Sequence, residues 1–115
     1  MAKDDYYVIV AKLLTFLYRK LKGKENRSVL EYISNNREFP ITPEYKEYVI
    51  WHMHKAGLIE RVYCLADNDG EPLEVELTEE TRITPEGIAY LEENSMVRKA
   101  IRSIPALASI AGGLG

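Results

Sequence analysis

Thr42–Ile59 reads TPEYKEYVIWHMHKAGLI, and the fold turns on this stretch. Thr42 offers a side-chain oxygen to cap a helix, and Pro43 fits the first turn, where its missing amide proton costs nothing. Tyr45, Val49, His52, Met53 and Ala56 then fall on one face, which predicts that this face packs inward. Glu44, Lys46, Glu47, Trp51, His54 and Lys55 lie mostly elsewhere on the helix surface. Gly57 is a natural stop, and Leu58-Ile59 anchors the exit to the core.

Downstream, Ile59 to Ala66 alternates and is rich in strand formers. Asp67-Asn68-Asp69-Gly70 signals a turn, after which Leu73, Val75 and Leu77 alternate with Glu74 and Glu76. The expectation is a hairpin with one apolar face packed down and one wet, acidic face. Thr84-Pro85-Glu86 repeats the cap-then-proline device and starts a last helix. Its buried side is expected to be Ile88, Leu91, Val97, Ala100 and Ile101, with a break at Asn94-Ser95.

Upstream, a first helix is predicted over Asp4 to Leu21, capped by Asp4 or Asp5 and stopped at Gly23. Tyr6, Ile9, Val10, Leu13, Leu17 and Leu21 form one stripe; Tyr7, Val8, Leu14, Phe16 and Tyr18 add a second side. A helix apolar over more than half its circumference is either central to the fold or part of a dimer seam. A short helix over Ser28 to Ser34 follows, and Phe39-Pro40-Ile41 reads as extended. The order helix, helix, helix, hairpin, helix predicts a mainly α fold with a small β hairpin (α+β), a winged helix-turn-helix over residues 1–103. Residues 104–115 read as an uncharged, apolar, partly flexible C-terminal tail, its final glycines fraying.

The chain of 115 residues is 46% hydrophobic and 29% charged, the composition of one globular domain. Its longest apolar run, Tyr6 to Ala11, is too short for a bilayer, and Asp4-Asp5 stand where a secretory leader needs cations. The lone Cys64 cannot form an internal disulfide, so a cytoplasmic, reducing setting is expected. Charge is uneven. Lys3 to Arg27 holds seven basic residues against three acidic, whereas Glu60 to Arg82 holds two against eight.

Asp4-Asp5-Tyr6-Tyr7-Val8-Ile9-Val10, followed by Leu13-Leu14 and Leu17-Tyr18, resembles the opening of the YjcQ-like proteins. The run from Ile83-Thr84-Pro85-Glu86-Gly87-Ile88 to Asn94-Ser95-Met96 is similar to their closing signature. Tyr45, Tyr48 and Gly57-Leu58-Ile59 sit between at fitting distances. The resemblance spans residues 3 to 103. It implies a small winged-helix protein of bacterial or phage origin, and no set mechanism. That family's ends tend to be lysine-rich, whereas residues 104–115 carry no charge here.

Two partner classes follow from the residues. For duplex DNA, the candidate binding residues are Lys20, Lys22, Lys24 and Arg27 at the first helix's end, with Lys46, Trp51, His54 and Lys55 on the third helix; Lys12 and Arg19 add to the cluster. Against it, Glu44 and Glu47 open the third helix, and Asp67, Asp69, Glu71, Glu74 and Glu76 would repel phosphate. DNA keeps first place through the fold's habit and the basic cluster. The alternative is a protein partner, met by the acidic wing, an exposed Trp51 and the apolar tail. A homodimer through the first and last helices is a further expectation. Catalysis, cofactors and metals are not expected. His52 and His54 point about 200° apart on a helix, and Cys64 suits a small buried role. Asp67, Asp69, Gly70 and Glu76 mimic a calcium loop, but Leu65 would occupy its first ligand position.

Overall fold

The computed structural model describes residues 2–107. It is a mixed α+β fold in which helices dominate and two small antiparallel sheets are inserted. Helices α1 (Tyr6–Leu21), α2 (Val29–Ile33) and α3 (Pro43–Lys55) come first. Strands β1 (Ile59–Glu60), β2 (Tyr63–Ala66), β3 (Pro72–Glu76) and β4 (Arg82–Ile83) follow, then α4 (Pro85–Glu93) and α5 (Ser95–Ser103). The chain is helical again at 105–107.

Helix α1 is the axis of the molecule. Every residue from Val8 to Leu17 is buried, and α3, α4, α5 and β4 pack around it. The two-sided apolarity that suggested a dimer seam is thus met within one chain. The helix begins at Tyr6 rather than at Asp4. Asp5 is its cap position, but the Asp5 carboxylate makes no capping bond and accepts instead from the backbone amide of Ala2. At the other end Gly23 adopts φ 76°, the left-handed conformation that ends a helix cheaply only at glycine.

Two of the caps read from sequence, Thr42 and Thr84, are formed, and Ser28, read only as the start of the second helix, caps it as well. Ser28 accepts from Leu30, Thr42 from Tyr45 and Thr84 from Gly87, each through its hydroxyl. Asn94 ends α4 and starts α5, its Oδ1 accepting from the amides of Met96 and Val97 at 3.0 Å each. The break expected at Asn94-Ser95 is therefore a capped corner between two helices.

The hairpin differs from its expectation in one physical respect. Ile59 to Ala66 is two strands, not one. Arg61 takes φ 61°, and its carbonyl accepts from both Thr78 Oγ1 and Thr81 Oγ1. The chain turns there, so Ile59 pairs with Ile83 at the base, while Tyr63 starts a separate ladder against Glu76. Two threonine hydroxyls clamping one carbonyl make up for the left-handed strain at a non-glycine residue.

The core joins α1, Val49, Ile50 and Met53 of α3, and Leu91, Val97, Ala100 and Ile101 of α4 and α5. His52 and Ala56, expected on the inward face of α3, are exposed, because Ile50 rather than His52 completes that face. The core also runs past Ser103, since Leu107 is buried and Ile104 packs against it. The rest of the expected tail, 108–115, lies outside the described residues.

Candidate functional site

Several of the side chains expected to meet nucleic acid are engaged within their own chain. Lys20 Nζ donates to the carbonyl of Arg27 at 2.7 Å, closing the loop between α1 and α2. Arg27 lies over the rings of Phe16 and Tyr32, and both oxygens of Glu25 accept from its guanidinium at 3.1 and 3.0 Å. That bonding holds the Glu25 carboxyl down to about 2, and raises Arg27 in turn. Tyr32, buried beneath them, is pushed up to about 12 by desolvation first, then by Glu38. Lys22 rests on Tyr18, and Lys24 is exposed.

Lys12 and Arg19, the flanking cations, are also engaged. Lys12 is 6% exposed and donates to the carbonyl of Glu38 at 2.6 Å, with the Glu38 carboxylate 3.5 Å away. The reason is its place in the middle of the buried run of α1, where an ammonium must find oxygen partners. Arg19 donates to the carbonyl of Lys24 at 3.1 Å. The basic segment is largely a structural brace for the α1–α2 connection. It adjoins Glu79, whose carboxylate accepts from the Ser28 hydroxyl.

Helix α3 distributes its four candidates differently. Lys46 is half-buried in a groove of about 440 Å³ between α2, α3 and β3, where Glu47 and Glu76 line the walls beside it. Trp51 was expected to stand exposed; it is half-buried, because its ring packs against the core cluster. His54 sits 6.2 Å from the Trp51 ring, with Nδ1 buried. Lys55 is exposed at the helix end.

The β2–β3 hairpin carries the more distinctive chemistry. From Tyr63 to Glu76 it holds five carboxylates and no lysine or arginine. Pairing of Tyr63 with Glu76 and Leu65 with Glu74 puts an aromatic and an aliphatic side chain on the acidic face. Tyr63 and Leu65 are 49% and 48% exposed. Leu73, expected to pack down, is 60% exposed, because the hairpin projects beyond the core that covers Val75. Cys64, opposite Val75, is half-buried rather than buried. The signal was present in the sequence: in YCLA, Tyr63 and Leu65 alternate out of phase with Cys64, so the strand is apolar on both sides.

A second group was invisible to spacing. Tyr6 and Tyr7 of α1 meet edge to face at 5.2 Å, and Tyr45, Tyr48 and His52 stack along α3, with Tyr48 4.4 Å from His52. Burial pushes the Tyr6 hydroxyl up to about 12, helped by Tyr90, Tyr7, Tyr48 and Tyr45 around it. Only the i, i+3, i+7 series on α3 could have been read in advance. The convergence of three helices could not.

Among the described residues, no three His, Cys, Asp or Glu side chains form a group that could hold a metal ion, and no helix is long and apolar enough to cross a membrane. The family described as YjcQ protein matches residues 12–109. No curated protein and no solved structure matches the chain.

Proposed function

The chain belongs to the YjcQ protein family, and from that premise and the surface just described we propose that it is a non-catalytic winged-helix module that recognises another protein. The winged-helix reading is supported by the order of elements: three helices, a strand, a projecting hairpin, a returning strand that pairs with the first, then α4. In such a fold α3 and the hairpin are the surface offered to a partner. One observation carries the choice of partner. The hairpin exposes Tyr63, Leu65 and Leu73 among five carboxylates with no cation. Phosphate would be repelled there, whereas exposed aromatic and aliphatic groups ringed by charge are the anatomy of a protein interface.

Duplex DNA is the second reading, favoured by Lys22 and Lys24, which are exposed and make no ion pair with a described carboxylate. It is weaker because Lys20, Arg27 and Lys12 already have partners. The two separate in one pair of experiments. Mixed-sequence duplex DNA, titrated at low salt and followed by fluorescence anisotropy, is expected to give no saturable binding. In cells producing the chain, a photo-crosslinking residue at Leu65 or Leu73 is expected to give discrete protein adducts, and one at exposed Glu92 none. Salt-sensitive DNA binding lost in a Lys20→Glu/Lys22→Glu/Lys24→Glu variant would overturn the protein reading.

A further inference from the structure

Five tyrosines from three helices lie near one another. Tyr6 and Tyr7 come from α1, Tyr45 and Tyr48 from α3, and Tyr90 from α4; α1 packs on both of the other helices. Tyr48 is 55% exposed and the other four are half-buried, so ring edges and faces reach the surface. Asp4 and Asp5 immediately precede Tyr6 in the chain, and both raise the Tyr45 hydroxyl, after burial, through their negative charge. Aromatic faces and carboxylates attract the same thing, a cation.

Elsewhere the chain satisfies its aromatic faces internally. Lys12 lies over Phe39, Lys22 over Tyr18, and Arg27 over Phe16 and Tyr32. Among the described residues no lysine or arginine lies over any of the five clustered tyrosines. The basic ring in contact with the cluster is that of His52, 4.4 Å from Tyr48.

We propose that the Tyr6–Tyr7–Tyr45–Tyr48–Tyr90 cluster, flanked by Asp4 and Asp5, docks an arginine- or lysine-bearing segment of a protein partner. This rests on the protein-recognition reading and adds to it the chemistry of the bound segment. The tyrosines supply π faces and ring edges at low entropic cost, and the carboxylates pair with the cations.

The test uses the whole chain, isotope-labelled for NMR, titrated with a capped tetra-arginine peptide and a capped tetra-glutamine peptide. The expected result is saturating shifts at the rings of Tyr48, Tyr45 and Tyr6 with tetra-arginine, and none with tetra-glutamine. Tyr48→Ala should weaken binding about threefold, the size of one exposed cation–π contact, with Tyr48→Phe retaining it. Adding Asp4→Asn and Asp5→Asn should bring the loss to about tenfold. An unchanged thermal midpoint for Tyr48→Ala establishes that the loss is local. No saturation by several millimolar peptide at low salt, or equal binding by Tyr48→Ala, would overturn the proposal. Shifts confined to the hairpin would overturn it too, while leaving the broader reading intact. Self-association of the chain that Tyr48→Ala abolishes would name a second copy as the occupant instead. Failure of the broader reading has its own signature, saturable DNA binding through Lys20, Lys22 and Lys24.

Discussion

Replacing Gly87 with alanine tests how α4 is seated, and the sign of the result separates two physical effects. Gly87 lies in the first turn of α4, where its amide is capped by Thr84 Oγ1 at 3.0 Å. Alanine is a better helix former than glycine by about 1 kcal/mol, so propensity alone predicts a more stable protein. The surroundings predict the opposite. A Cβ at this position would collide with the carbonyl oxygen of Leu58 and come within 2.7 Å of Cγ1 of Ile83. Both belong to the β1–β4 base of the hairpin, and the Leu58 oxygen already accepts from Thr84 N at 3.1 Å. Backbone must therefore move, at about 1–3 kcal/mol for overpacking and about 1 kcal/mol for each hydrogen bond stretched with it. With the propensity gain set against these, Gly87→Ala should cost about 2–3 kcal/mol, or about 10 °C in Tm for a chain of this length. Urea titration followed by far-UV circular dichroism measures it. A useful companion is Gly23→Ala, where nothing stands within 4 Å of the new Cβ and only the φ of +76° is strained. That change should cost about 1 kcal/mol. If Gly87→Ala were as stable as the parent or more so, the close seating of α4 on the hairpin base would be wrong.

Two further outcomes follow from polar contacts. Asn94→Ala removes the oxygen shared by the amides of Met96 and Val97 and should lower stability by about 1–2 kcal/mol, with Asn94→Asp retaining most of it; equal urea midpoints for Asn94→Ala and the parent would remove the corner from the account. Glu25 is held at about 2 in the folded chain against an ordinary 4.5, so its contribution is complete above 4.5 and is lost as pH falls through 4.5 toward 2. Because the Arg27 side chain is 56% exposed, solvent screening limits that contribution to about 1 kcal/mol. The stability difference between the parent and Glu25→Gln should therefore close as pH falls across that window; a difference constant with pH would show that the ion pair is not its source.

What the sequence disclosed was set by how local each signal is. Caps act over three residues, so Thr42 and Thr84 could be read directly, and so could the turn at Asp67–Gly70 with its hydrogen bonds back to Asp67, whereas Asn94 read only as a break and Ser28 only as a helix start. The buried run of α1 was legible for the same reason, since an apolar circumference needs no partner to be recognised. The split of the strand at Arg61 was not legible, because its cause is two threonines 17 and 20 residues away. Nor was the fate of Lys12, whose partner Glu38 stands 26 residues on.

The candidate site shows the same division more sharply, and it bears on function. A run of cations reads as a footprint for phosphate only if the charges are free to leave their own chain. Here Lys20 is bonded to the backbone of the segment it would have to release, and Arg27 is stacked between two rings and a carboxylate. Using Arg27 on a phosphate would expose the Phe16–Tyr32 stack and leave the Glu25 carboxylate, only 14% exposed, without its cation. A charge whose loss leaves another charge stranded makes a poor ligand group, because binding must then offset the unpaired partner. Asp67 is bonded within its own turn, but Glu76, exposed beside Tyr63, and Glu74, half-buried beside Leu65, make no ion pair with a described residue, and Leu73 is 60% exposed. Counted by availability rather than by composition, the hairpin offers acidic and apolar groups, which is the ground on which a protein partner is proposed over duplex DNA.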